Sequence, residues 1–102
     1  KLARAMRGDA AARGIAVCGS GIGISMAVNR FPWCRAALVG DATAARLCRE
    51  HNDANVLALG QRLTGQTVAI DCVDEFMATE FEGGRHRGRV EKLSSLGDGE
   101  SK

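Results

Sequence analysis

Aromatic residues are scarce: no tyrosine, three phenylalanines and one tryptophan, or 4% of 102 residues. So thin a supply argues against a single-strand nucleic-acid platform, which stacks bases on interleaved rings. No stretch reaches the ~18 consecutive apolar residues of a membrane span. The opening, residues 1–7, is basic but lacks an unbroken apolar run, so it does not read as a signal peptide. Four cysteines, Cys18, Cys34, Cys48 and Cys72, form no C-x-x-C pair. That argues against a zinc site or a redox dithiol. A disulfide is unneeded at this length, so a reducing cytoplasm is the expected compartment. Charge of one sign is lacking too, the formal balance being +2.

What is present is soft and small. Of the 45% hydrophobic share, 16 residues are alanine, and 13 further residues are glycine. That density suits close helix–sheet packing and tight strand–helix turns. Length and composition permit one compact domain and argue against disorder, collagen and coiled coil. Residues 1–96 are expected to form it, with residues 97–102 a disordered tail.

The pattern alternates strand and helix. Residues 1–7 read as the end of a helix, and residues 14–18 (GIAVC) as a buried parallel strand bounded by glycine. Residues 19–23 form a tight loop and residues 24–29 a helix, broken at Phe31-Pro32-Trp33. A second strand follows over residues 35–39 (RAALV), with Asp41 as the N-cap of a helix over 42–50. Leu47, Ala44 and Ala45 are expected to face inward. Residues 55–59 (NVLAL) make a third strand and residues 64–79 a longer helix, striped by Val68, Ile70, Cys72, Val73, Phe76 and Met77. A last helix is expected over residues 89–96. The fold class is α/β with a parallel sheet, and ligands belong at the carboxyl ends of its strands. Three strands make a thin sheet and leave one flank of the first strand as an apolar edge.

The strongest chemical signal is residues 18–23 (CGSGIG). Glycines let backbone N–H groups turn toward a ligand, and the following helix N-terminus adds partial positive charge. A thiol there is expected to favour its thiolate. The plainer reading is a core cysteine before an ordinary turn. Gly19, Gly21 and Asp41 also match part of a dinucleotide fingerprint, but Ile24 occupies the third glycine position. His51 and Asn52 read either as a helix C-terminus or as a second polar site. Arg85 and Arg89, at i and i+4, would present two guanidinium forks to a phosphate; otherwise the segment is a solvated tail. Cys34, Cys48, Cys72, Met26, Met77 and Trp33 read as packing or interface residues.

Four segments in register, residues 14–25 (GIAVCGSGIGIS), 35–39 (RAALV), 50–60 (EHNDANVLALG) and 80–86 (EFEGGRH), closely resemble the type B ribose-5-phosphate isomerase family, which includes galactose-6-phosphate isomerase subunits. The resemblance implies a cytoplasmic, metal-independent aldose–ketose isomerase without cofactor, acting on a sugar phosphate. It implies a three-layer Rossmann-like sheet, and a homodimer or dimer of dimers with shared sites. Cys18 matches the catalytic base of the cysteine branch; Ile24 stands where the other branch has glutamate. Ser20 with the N–H groups of Gly19, Gly21 and Gly23 matches the oxyanion donors. His51 matches the ring-opening residue, Asn52 a sugar contact, and Arg62, Arg85 and Arg89 the phosphate ligands. The family's opening strand with its Asp-His pair, and the strand after it, have no counterpart in these residues.

Overall fold

In a computed structural model, residues 2–83 and 90–93 are described. Seven elements alternate: α1 (Leu2–Met6), β1 (Gly14–Cys18), α2 (Ile22–Val28), β2 (Ala36–Leu38), α3 (Ala42–Glu50), β3 (Val56–Gly60) and α4 (Gln66–Ala78). Residues 90–93 add a helical turn. The sheet is parallel, in the order β1-β3-β2, with Cys18 beside Gly60 and Leu38 beside Ala58. This is the expected α/β class, and among the described residues only element boundaries differ from the sequence reading. Residue 89 and residues 94–102, the rest of the expected last helix and the expected tail, lie outside them.

β3 lies in the middle because it alone can be buried on both faces. All five of its residues are buried, and successive side chains alternate between two cores. Leu57 and Leu59 pack with Ala45, Cys48, Cys72 and Phe76 under α3 and α4. Val56 packs with Ala3, Met6, Ala16, Val28 and Cys34 under α1 and α2. Trp33 ties α1 to this second face, its Nε1 donating to the Ala3 carbonyl at 2.6 Å.

The differences have local causes. α2 starts at Ile22, two residues earlier than read, because Gly23 enters the helix instead of the loop. β2 omits Arg35, whose N–H donates to the Asn55 side chain at 2.7 Å. On α3 the deepest residues are Ala45, Cys48 and Arg49, while Leu47 is only half-buried. On α4 the inward stripe is Ala69, Cys72, Val73 and Phe76; Val68, Ile70 and Met77 are exposed. The mixed spacing of the sequence thus combined two faces. β1 pairs with β3 on one flank, and Ile15 (37%) and Val17 (56%) remain exposed, as expected for an edge.

Candidate active site

In a parallel sheet the turns leaving β1, β2 and β3 all gather at one end. Cys18 closes β1 there, half-buried. Gly21 adopts φ 79°, a left-handed conformation natural to glycine, as the chain turns into α2, and its N–H donates to Cys18 Sγ at 3.2 Å. The next N–H, from Ile22, goes to Ser20 Oγ at 3.2 Å. The loop is locked to the turn after β3: Gln61 N–H donates to the Cys18 carbonyl at 2.8 Å, and Arg62 N–H to that of Gly19 at 2.9 Å. The Arg62 side chain folds over Gly19, with Nε 3.6 Å from where a β-carbon on Gly19 would lie. A cavity of about 240 Å³ opens beside Ser20 between Gly40, Gly60, Leu63 and Thr64.

Cys18, Gly19, Ser20, Gly21, Gly23 and Arg62 are therefore neighbours at this end. His51 and Asn52 are not. α3 runs back along the sheet, so its C-terminus meets the amino end of β3, and roughly 13 Å of strand separates the two groups. His51 caps α3, its N–H donating to the Leu47 carbonyl at 2.9 Å, and its Nε2 stands 4.0 Å from Glu82 Oε1. Asn52 lines a separate cavity of about 430 Å³ with Asn29, Cys34, Arg35, Ala36, Ala54 and Leu93. Arg85 and Arg89 lie outside the described residues.

Asp41, the acidic residue of the partial dinucleotide fingerprint, is engaged elsewhere. Its carboxylate accepts the Ala44 N–H at 2.7 Å and caps α3. Cys34, Cys48 and Cys72 are buried, and desolvation pushes each thiol up, Cys48 to about 11. They stay protonated as packing groups. Sequence reasoning passed over Arg49, Asp53, Arg35 and Glu82. The readable signal was Arg49 at i+4 from Ala45 and i−4 from Asp53, on the inward face of α3.

A profile of the Ribose/Galactose Isomerase family matches residues 1–93. Ribose-5-phosphate isomerase B of Escherichia coli is 42% identical over 96 residues, covering 94% of this chain and 64% of that protein. A ribose-5-phosphate isomerase B structure from Clostridium thermocellum superposes with a TM-score of 0.90 at 45% identity, covering 98% of this chain and 67% of that one. The enzyme of Mycoplasma genitalium, solved with bound ribulose-5-phosphate, also superposes at 0.90, with 37% identity and coverage of 94% and 64%. The chain thus spans about two thirds of the length of these relatives.

Proposed function

Because this chain belongs to the Ribose/Galactose Isomerase family, we propose that it serves an aldose–ketose isomerase acting on ribose 5-phosphate and ribulose 5-phosphate through a cysteine base. The observation that carries this reading is Cys18 at the end of β1, with the Gly21 N–H aimed at its sulfur and Ser20 and Arg62 alongside.

In this mechanism the Cys18 thiolate removes the proton from C2 of the opened aldose. The electron pair of that bond moves through C1 onto O1, giving an enediolate. The thiol then returns its proton to C1, the proton on O2 passes to O1, and the ketose results. A thiolate can serve such a carbon acid only where donors stabilise the developing oxyanion. Ser20 would be one such donor, a role supported by its oxygen accepting the Ile22 N–H, which leaves its own proton to donate. The N–H groups of Gly19 and Gly23 add to the donor set; that of Gly21, which the resemblance also assigns there, goes to Cys18 Sγ at 3.2 Å instead. Arg62, Arg85 and Arg89 hold the phosphate, whose binding energy orients the reacting carbons. Protons move and no electron carrier is needed.

His51 would open the furanose ring and Asn52 would contact the sugar. Their distance from Cys18 supports a site shared between two copies in a homodimer or dimer of dimers. Among the described residues no helix is long and apolar enough to cross a membrane. That and the four free thiols support a cytoplasmic setting.

The test is interconversion of the two sugar phosphates, with exchange of the C2 proton into deuterated water. Cys18→Ala abolishes both if the thiol is the base; undiminished turnover in that variant removes it from the role. A second reading rests on the covered length, 64% of the E. coli relative: the chain alone binds sugar phosphate without turning it over. Calorimetric titration with ribose 5-phosphate beside the activity assay separates the two.

A further inference from the structure

The turn carrying His51 and Asn52 is fixed by a side chain to which the proposed reaction gives no part. Arg49 is 4% exposed, a depth arginine reaches only when paired. Its Nε donates to the Thr79 carbonyl at 3.0 Å, and its Nη1 to Asp53 Oδ1 and the Ala54 carbonyl, both at 2.8 Å. The guanidinium carbon lies 6.0 Å from the Phe76 ring centroid.

The residue it holds is strained. Asp53 has φ 48°, and among the described residues no other non-glycine residue has positive φ. Side-chain-bearing residues seldom adopt that conformation unless their surroundings enforce it. Arg35 completes the enforcement from the other side, its Nη2 3.4 Å from Asp53 Oδ2 and its Nε donating to the Asp53 carbonyl at 2.8 Å. The Ala54 N–H returns to the Cys48 carbonyl at 2.9 Å. The inner side of residues 53–54 is thus bonded to α3 and to the two arginines, while Asn52 is exposed and His51 half-exposed on the outer side. The same guanidinium, with the Glu82 N–H on the Glu50 carbonyl at 3.1 Å, draws residues 79–82 onto this turn.

We infer that Arg49 is a positioning residue: through Asp53 it locks the strained turn, so that His51 and Asn52 are presented in one conformation. Packing alone does not account for it. An apolar side chain would cover Phe76 equally well, but would orphan the Thr79 and Ala54 carbonyls and release Asp53. The roles of His51 and Asn52 rest on the isomerase reading; the locking of the turn does not.

The test compares Arg49→Met, Asp53→Ala and Asp53→Asn in the full 102-residue chain. Asparagine keeps an acceptor for Nη1 and tolerates positive φ, but gives up the charge and the oxygen facing Arg35, so Asp53→Asn falls between the unaltered chain and Asp53→Ala. In Arg49→Met and Asp53→Ala, amide exchange at residues 53 and 54, whose N–H groups bond to the Arg49 and Cys48 carbonyls, speeds up by roughly tenfold, while Leu57 and Leu59 in β3 stay within about twofold. Both variants also bind ribose 5-phosphate about tenfold more weakly. Unchanged turn amides, acceleration shared equally by β3, or an Asp53→Asn variant as impaired as Asp53→Ala would overturn the inference. Should Arg49→Met not fold, the half-exposed Asp53 pair decides it. If the unaltered chain binds no ribose 5-phosphate, the isomerase reading fails and the exchange arm alone judges Arg49.

Discussion

Gly60 is where the fold and the candidate site constrain each other most tightly. It ends β3 beneath the loop that follows Cys18. A β-carbon there would lie 2.5 Å from the Ser20 carbonyl carbon and 2.8 Å from Ser20 Cα. Ordinary carbon contacts fall near 3.5–4.0 Å, so roughly 1 Å of movement is needed. Both obstructing atoms are backbone, so no rotamer change relieves them. The loop cannot simply slide, because Gln61 and Arg62 bond to the carbonyls of Cys18 and Gly19. Gly60→Ala must therefore displace the Ser20 peptide or bend the end of β3. Overpacking of this kind costs about 1–3 kcal/mol. In a domain of this size that lowers Tm by roughly 5–20 °C.

Gly23→Ala supplies the opposite sign within the same motif. Nothing lies within 4 Å of its β-carbon position, and it sits inside α2. Alanine there gains about 0.5–1 kcal/mol by reducing backbone freedom. Calorimetric melts of both variants at one pH give the comparison, and the alkylation rate of Cys18 reports the loop separately. A Gly60→Ala melt within about 1 °C of the unaltered chain, with an unchanged Cys18 rate, would refute the reasoning. So would equal destabilisation by Gly23→Ala.

Stability should fall at alkaline pH. The buried Cys48 thiol titrates near 11 when folded, above its unfolded value, so its contribution is whole below the ordinary thiol pKa and is lost as pH climbs toward 11. The upper bound is about 2–3 kcal/mol, and Cys48→Ala should flatten the decline of urea midpoints between about pH 8 and about pH 10.5. Asp41→Ala removes the carboxylate that caps α3 at 2.7 Å and should cost about 0.5–2 kcal/mol. Asp41→Asn should recover most of it in the same urea titration; an Ala variant as stable as the parent would deny the cap its role.

The parts that could be read in advance are those where local and tertiary signals agree. α3 is read to the residue because Asp41 caps it and His51-Asn52 stops it. β3 announces itself by an apolar run that only a central strand can bury on both faces. α4 misleads because Val68, Ile70 and Met77 are apolar yet face outward, a choice made by which neighbours cover the helix. Arg49 was hidden by its type: arginine reads as surface, and its burial depends on carbonyls of Thr79 and Ala54 that only the folded chain brings near. The loop of Cys18 was legible in residue types and spacing, whereas the separation of His51 from Cys18 follows from topology.

That separation has a quantitative consequence. In a parallel α/β unit, the residue after a strand and the residue after a helix lie at opposite ends of the sheet. Cys18 follows the first rule and His51 the second. If one site needs both, each site of a dimer takes Cys18 from one copy and His51 from the other. Chains carrying Cys18→Ala and chains carrying His51→Ala are each inactive under this arrangement. Mixed in equal amounts and allowed to exchange subunits, about half of the dimers are hybrids by random pairing. Each hybrid assembles one site from two unaltered residues and one from two altered residues. Isomerase activity should therefore return to about one quarter of the parental level per chain, a value fixed by the C2 symmetry of the pairing. A site completed within a single copy would give no recovery at any mixing ratio, and that outcome would sink the shared site.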